Sequence, residues 1–189
     1  MRKILIGIVV LSFIGCTQQE MTKEYWDNGN LKSEGFLNDT TKTGSWKYYY
    51  EHIDGRLISE GNYKEGEKDG LWKDYDYDEN VENDIVVWEG TYKNGYPEGV
   101  VKEYWDNGKI SIETTWKDGQ QNGSQTFYYR NGQIEQSGNY KDHLLVGIWK
   151  TYHEENGNLK WIEEMDENGK QISHECFDLN ENKIECPVY

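Results

Sequence analysis

The sequence predicts an all-β protein, a single-layer antiparallel meander of about six β-hairpin repeats with little or no helix after the N-terminal segment. Two observations predict this fold. The 189-residue chain contains 8 Trp, 15 Tyr and 20 Gly but no Ala, and aromatic residues favour strands whereas Gly favours turns. Similar short sequence motifs also recur along the chain at spacings of 24–29 residues, and such self-similarity is typical of repeat architectures.

The N-terminal segment is typical of a bacterial lipoprotein signal. Two basic residues precede an apolar run over residues 4–14, which is too short for a relaxed membrane span. The run is followed by a small residue and Cys16, and this ending resembles a lipobox, where cleavage leaves an acylated Cys. We therefore expect residues 1–15 to be a signal peptide, Cys16 to be lipidated and residues 16–22 to form a tether. The alternative is an apolar segment that ends at an incidental Cys.

Recurring columns of residues define the repeat, which we predict over residues 23–170, with a capping hairpin over residues 171–189. The seven residues 23–29 return unchanged at 102–108. A Tyr column and a Trp column accompany them: Tyr25, Tyr49, Tyr75, Tyr104, Tyr128 and Tyr152, with Trp46, Trp72 and Trp149. Each unit is predicted to hold two strands.

The turn residues predict how these strands are joined. Asn-Gly and Asp-Gly pairs follow most of the column tyrosines, and these dipeptides favour the type I′ turn of a tight hairpin. Longer Gly-containing loops, such as residues 118–123, are predicted to return the chain to the next unit.

Strand alternation assigns side chains to two faces. It places Lys47 and Tyr49 on one face, and Trp46 and Tyr48 on the other. Both faces then carry aromatic rings, as expected of a single layer that is covered only by cross-strand neighbours. The Tyr and Trp columns are either a packing ladder or a binding face for a protein strand or a glycan.

The units resemble MORN-variant repeats, as found in the family of YwqK-type antitoxins. The matching phrases include Glu-Gly-Asn-Tyr-Lys at 60–64, Gly-Leu-Trp-Lys-x-Tyr at 70–75 and Gly-Asn-Tyr-Lys at 138–141. The resemblance extends over about three quarters of the chain and implies a repeat fold with a binding or antitoxin-like role. Classical MORN repeats have a second Gly where this chain has Trp46, so a lipid head-group specificity is not implied.

The Asp-rich segment that begins at Asp74 differs from the equivalent segments of the other repeats. The acids of this patch are Asp74, Asp76, Asp78 and Asp84. Its start resembles a calcium-binding loop, but Glu79 stands at the place of the turn Gly and Ile85 at that of the final Glu. A solvated acidic loop is favoured, which could dock a basic partner; a calcium site or a carboxylate pair acting on cell-wall glycans are the alternatives.

Two Cys residues flank a turn-like segment near the C-terminus. Cys176 and Cys186 would face each other in a hairpin centred on Glu181, so we expect a disulfide. The alternative is a metal site that also uses His174, for which the sequence offers no fourth ligand.

Charge and motifs restrict the function. The net charge of −15 argues against nucleic acid and favours a basic partner. No catalytic or cofactor motif is present in the sequence, and the four histidines, His52, His143, His153 and His174, form no pair at metal-binding spacing. We therefore expect a protein that is not an enzyme and needs no cofactor or metal. It would be held in the bacterial cell envelope by its lipid anchor alone and would bind a protein partner; neutralising a toxin is the alternative, and glycan binding or cell-wall hydrolysis a weaker one.

Overall fold

A computed structural model describes residues 20–53, 55–77 and 84–187. The predicted all-β antiparallel meander is confirmed, since the described residues form strands and no helix. Accordingly, none of them forms a helix capable of crossing a membrane. The predicted signal peptide, Cys16 and Asp78 lie outside the described residues.

The chain divides into two compact units, Met1–Tyr96 and Pro97–Tyr189. Within each unit, strands that are adjacent in the sheet are consecutive along the chain and antiparallel. Unit 1 contains β1 (Glu20–Tyr25), β2 (Leu31–Asn38), β3 (Thr41–Tyr49), β4 (Leu57–Lys64), β5 (Glu67–Asp76) and β6 (Ile85–Lys93), and the short β7 (Tyr96–Pro97) lies at its end. Unit 2 contains β8 (Gly99–Tyr104), β9 (Ile110–Lys117), β10 (Gln120–Tyr128), β11 (Ile134–Lys141), β12 (Leu144–Tyr152), β13 (Leu159–Met165), β14 (Gln171–Phe177) and β15 (Lys183–Ile184).

The tight type I′ turns lie at the opposite ends of the hairpins from those predicted. Glu65 and Gly66 have φ of 53° and 86°, and Asp118 and Gly119 have φ of 50° and 78°. Positive φ at both central residues is the mark of the type I′ turn. The predicted return loop over residues 118–123 is therefore wrong: its first two residues form the turn and the others already belong to β10.

The Asn-Gly sites that follow the column tyrosines instead form longer loops. Between β1 and β2 the connection covers residues 26–30, and the Trp26 N–H donates to the Asn30 carbonyl at 2.8 Å. Only Gly29 has a positive φ. The Asn28 side-chain oxygen accepts the Asn30 N–H at 2.9 Å. Asn28 therefore closes the loop through its side chain and does not itself adopt the left-handed backbone that a type I′ turn requires.

Each unit consequently has two different edges. We call one the turn edge, which carries the two-residue turns and, in unit 2, also the connection over residues 166–170, and the other the loop edge, which carries the remaining longer connections. Each edge is thus the row of connections at one end of the strands and not an outermost strand. In unit 1 the described residues of the loop edge are 26–30, 50–53, 55–56, 77 and 84. In unit 2 the loop edge consists of residues 105–109, 129–133, 153–158 and 178–182.

One side-chain position of the repeat provides the largest buried side chains of the core. Trp46, Trp72 and Trp149 are 2%, 0% and 1% exposed. Each indole lies over a Gly of the preceding strand, and a Cβ on Gly61 would overlap the ring of Trp72. The equivalent pairs are Gly35 with Trp46 and Gly138 with Trp149. A single layer thus buries a large ring by removing the side chain beneath it.

The repeat that lacks the Gly–Trp pair supports this explanation. Thr114 stands at the Gly position of its repeat, and the residue paired with it is Gln125 rather than Trp. Both are buried, and the Gln125 amide donates to the Thr114 hydroxyl at 2.8 Å. The larger residue on one strand is therefore matched by a smaller one on the next.

Candidate binding surface

Unit 1 carries a continuous cluster of rings that we call the aromatic face. Tyr63 packs edge-on against Trp72, with centroids 5.1 Å apart, and against Trp46 at 6.0 Å. The Tyr48 and Tyr63 hydroxyls are 3.0 Å apart, and Tyr92 extends the cluster beyond Trp72. Edge-to-face contacts of this kind stabilise beyond the area that they bury.

Two lysines close over these rings. The Lys42 ammonium lies 4.4, 5.0 and 5.2 Å from the centroids of Trp46, Tyr48 and Tyr63. It also donates to the Tyr48 hydroxyl at 2.8 Å. Lys68 lies 3.9 Å from the Trp72 centroid. These cation–π contacts cover the indoles with the protein's own positive charges.

Asp74 lies beside Lys68 on the aromatic face. Burial raises the pKa of the Asp74 carboxyl, and the Lys68 charge opposes this rise. Burial likewise lowers the pKa of Lys68, against the effect of Asp74. The first acid of the predicted patch therefore compensates a half-buried lysine.

The opposite side of unit 1, which we call the charged face, holds a ladder of alternating charges. The cross-strand register pairs Lys23 with Glu34, Glu34 with Lys47, and so on through Glu60, Lys73 and Glu89. The closest amine–carboxylate distances are 2.9 Å for Lys23 and Glu34, 3.8 Å for Lys47 and Glu60, and 3.9 Å for Lys73 and Glu89. Opposite charges directly across a sheet stabilise the pairing modestly.

The column tyrosines of this face donate to the same glutamates. The Tyr49 hydroxyl lies 2.7 Å from Glu34 and the Tyr75 hydroxyl 2.7 Å from Glu60. Burial and then these hydrogen bonds raise the pKa of both tyrosines. The pKa of Glu34 is lowered by hydrogen bonds from Lys23 and Tyr49.

Unit 2 repeats this pair with Tyr128, whose hydroxyl donates to Glu113 at 2.8 Å. Burial and this hydrogen bond raise the pKa of Tyr128 to about 12. Of the other column tyrosines, Tyr25 is exposed, at 54%, and Tyr104 and Tyr152 are partly buried. The column is thus mainly a packing ladder, and the three buried core tryptophans are packing residues as well.

Two further acids of the predicted patch, Asp84 and Asp76, lie at the loop edge and at the adjoining strand end. Asp84 lies 3.5 Å from the Arg56 guanidinium and accepts the Leu57 N–H at 3.4 Å. Asp76 is exposed and accepts the Tyr77 N–H at 2.8 Å. The patch is therefore divided: Asp74 belongs to the aromatic face, whereas Asp76 and Asp84 lie at or next to the loop edge.

The loop edge also carries contacts between repeats that sequence reasoning missed. The Trp26 indole donates to the Tyr49 carbonyl at 3.1 Å, and Trp105 donates to the Tyr128 carbonyl at 3.1 Å. Asn28 donates to the Glu51 carbonyl at 2.7 Å. The repeated sequence at 23–29 and 102–108 contained the signal for these contacts. Each donor side chain in it lies 23 positions before the carbonyl that accepts its hydrogen bond.

The C-terminal hairpin joins Cys176 to Cys186 in a disulfide, with Cα atoms 5.2 Å apart. The His174 Nε2 lies 3.5 Å from the Cys176 sulfur. Within the described part of the chain, these three residues are the group whose donor atoms lie close enough to hold a metal ion. The acidic patch forms no such group among the described residues.

Comparison with protein families gives one match, which agrees with this geometry. Three segments match the MORN repeat variant. They are residues 22–39, 97–118 and 121–142, about a third of the chain. The prediction of MORN-variant repeats is confirmed for these segments. No curated protein matches the chain.

The matched MORN-variant repeats share one loop length. In each, five residues separate the last pair of the hairpin: Tyr25 with Leu31, Tyr104 with Ile110, and Tyr128 with Ile134. The hairpin closed by Tyr49 and Leu57 has seven intervening residues and is not matched. The unmatched hairpins closed by Tyr49, Tyr75 and Tyr152 thus keep the strand pattern but have longer loops.

Proposed function

We propose that the protein is a non-catalytic binding protein, anchored to the bacterial cell envelope through a lipid on Cys16, which binds a basic protein. Contact would be made through the loop edge of unit 1 and the exposed rings beside it. The anchor rests on the lipobox resemblance at Cys16, and the repeats supply the scaffold.

The distribution of charge in unit 1 is the observation that carries this proposal. Lysines on both faces are engaged with the chain's own groups: Lys23 and Lys47 with glutamates, Lys42 and Lys68 with rings. In the sequence, the connections from β1 to β2, β3 to β4 and β5 to β6 contain seven acidic residues and one Arg. Concentrated negative charge steers and binds a positively charged partner.

The aromatic contribution to binding comes from exposed rings rather than from the core tryptophans. Tyr25 ends β1 next to the loop edge and is 54% exposed. A partly exposed Tyr beside carboxylates offers both apolar area and a hydroxyl, a combination that is common in protein interfaces.

Charge reversal at one edge, matched by the same reversal at the other, tests the proposal. The variant Glu51→Lys with Asp76→Lys changes the loop edge and the adjoining strand end. The variant Glu65→Lys with Glu67→Lys makes the same change of net charge at the turn edge. We expect the first to weaken binding of the basic partner, captured by cross-linking in envelope fractions, by about tenfold or more, and the second to leave it within about threefold.

Binding should also weaken as salt is raised, because exposed charges are screened. Equal losses in the two variants would show that net charge alone acts, and would contradict a loop-edge site. Failure to recover any basic protein specifically would contradict the proposed function itself.

A second candidate is an immunity protein that neutralises a toxin by direct occlusion, as the YwqK-type resemblance implies. The MORN-variant match supports the repeat scaffold on which this candidate rests. Its test is protection in cells that co-express a toxin encoded beside this gene. Protection should be lost in the loop-edge variant and kept in the turn-edge variant.

A further inference from the structure

The C-terminal hairpin brings two sulfurs and one imidazole together. The donor atoms of His174, Cys176 and Cys186 all lie within 4.8 Å of one another. His174 and Cys176 are two positions apart on β14 and therefore share a face of the strand. Cys186 follows β15, the short strand that pairs with the end of β14.

The spacing of these atoms fits a tetrahedral zinc site. With Zn–S near 2.3 Å and Zn–N near 2.0–2.1 Å, sulfur and nitrogen ligands of one zinc ion lie about 3.5 Å apart. The His174 Nε2 and the Cys176 sulfur are already at 3.5 Å. Only the Cys186 sulfur must move away from its bonding partner to make room for the ion.

Contacts other than the disulfide hold the hairpin in place. The ladder pairs Cys176 with Ile184 and Phe177 with Lys183, and the Lys183 ammonium lies 3.0 Å from the Glu175 carboxylate. Asp178 accepts the N–H groups of the loop at 2.8 and 2.9 Å. The two cysteines therefore remain on one paired hairpin when the bond between their sulfurs is broken, although the hairpin is then less stable.

The imidazole is positioned too. The His174 ring stands edge-on to Trp161, with centroids 6.3 Å apart and planes at 86°. Its neighbour Cys176 is 4% exposed, whereas His174 itself is exposed. The group thus has a sheltered sulfur on one side and access for an ion from solvent on the other.

We propose that this hairpin is a redox-gated zinc site, in which the disulfide and a zinc-bound dithiolate are alternative states. A dithiol reductant gives two electrons and two protons to the disulfide, which becomes two thiols while the reductant becomes a disulfide. Zn²⁺ then displaces the two thiol protons and binds both thiolates and the neutral His174. Water fills the fourth position, as in zinc sites with three protein ligands.

Metal binding by the full chain in its two redox states tests the proposal. The protein carries Cys16→Ser so that Cys176 and Cys186 supply its only thiols, and a phosphine reduces it without adding a competing thiol. Zn²⁺ is titrated against a chromophoric chelator, and Co²⁺ reports thiolate ligation by its charge-transfer absorption. We expect one ion per reduced chain, and binding about 100-fold weaker or more in the oxidised chain, because the disulfide offers no thiolate.

Matched variants separate a site from adventitious binding. Cys186→Ser should abolish the cobalt–thiolate band of a two-thiolate site, and His174→Ala should weaken Zn²⁺ binding about tenfold or more. His143→Ala is the control, because His143 also packs edge-on against a Trp, at 6.3 Å from Trp116, but lies away from the cysteines. Equal affinity of the oxidised and reduced chains, or of the His174→Ala and His143→Ala variants, would overturn the proposal.

Discussion

At the residue scale, a missing Cβ explains how a single layer buries a tryptophan. The backbone at Gly61 does not require glycine for its φ, since Gly61 is not among the residues with positive φ. It requires glycine for space, because the Trp72 ring occupies the volume that a side chain would fill. The buried pair of Thr114 and Gln125 is the alternative solution in unit 2.

Gly61→Ala should therefore destabilise the protein by about 1–3 kcal/mol, the usual cost of overpacking a core. The measurement is the free energy of unfolding in urea. The same substitution in a Trp72→Val background should cost less than about 0.5 kcal/mol, because the clash is then removed. If Gly61→Ala costs the same in both backgrounds, the ring is not the reason for the glycine.

The raised pKa of Tyr128 makes the free energy of unfolding depend on pH. Its folded-state pKa of about 12 exceeds the ordinary value of 10.0. A raised pKa contributes stability that is complete below pH 10 and is lost as the pH rises through about 12. The free energy of unfolding should thus fall more steeply between pH 10 and 12 for the native chain than for Tyr128→Phe. Parallel curves would show that the hydrogen bond to Glu113 does not act in this way.

At the element scale, the two kinds of connection explain what the sequence can and cannot predict. The hairpin repeat and the opposite faces of Trp46 and Tyr49 follow from the 24-residue and two-residue periods. The positions of the tight turns do not follow, because Asn28-Gly29 and Asp118-Gly119 present nearly the same dipeptide. What separates them is the Asn28 side chain, which closes a five-residue loop, and a dipeptide preference does not reveal that contact.

The candidate surfaces were predictable only in part. Lys47 and Glu60 lie in separate columns of the repeat, and their pairing across the sheet depends on the register. The cover that Lys42 places over Trp46 depends on the direction of a long side chain, which no periodicity specifies. The acids of the patch lie close together in the sequence, but the fold separates them. Asp74 interacts with Lys68, whereas Asp84 lies beside Arg56.

The last hairpin is stabilised by a covalent bond as well as by its strand pairing. Its short strand β15 pairs through only two residues, and the disulfide closes a loop of sequence separation 10. Cys186→Ser should destabilise this hairpin by about 2–3 kcal/mol, mainly because the unfolded chain becomes less restricted. Hydrogen exchange of β14 should accelerate in the variant and become insensitive to reductant.

The control for the hairpin is Cys16→Ser, since Cys16 lies outside the described sheet. It should exchange in β14 as the native chain does and should remain sensitive to reductant. Protection of β14 that is unchanged in Cys186→Ser would contradict a stabilising role for the disulfide.

At the scale of the whole molecule, strand neighbours within each unit are also neighbours in the chain. Stability in such arrays is close to a sum of local terms. A substitution should therefore loosen the strands around it and leave distant repeats protected. This locality distinguishes the protein from a domain built around one shared core.

Hydrogen exchange of the Gly61→Ala variant measures that locality. Exchange should increase in peptides from β4 and β5 and stay at the native rate in β11 and β12, which contain the equivalent pair of Gly138 and Trp149. Gly138→Ala should give the reverse pattern. A uniform increase over both units would show that the molecule unfolds as one cooperative body.

The difference between the two edges has a consequence for how the gene can change. Tyr25 and Leu31 enclose five residues, Tyr49 and Leu57 seven, and Tyr75 and Val86 ten. These numbers account for the repeat spacings of 24, 26 and 29 residues, so the inherited variation in repeat length lies at the loop edge. A codon inserted there lengthens a loop and leaves the ladder intact, whereas one inserted at a two-residue turn shifts the register of a strand. In unit 1, evolution can therefore diversify the loop edge while the two-residue turns stay constant.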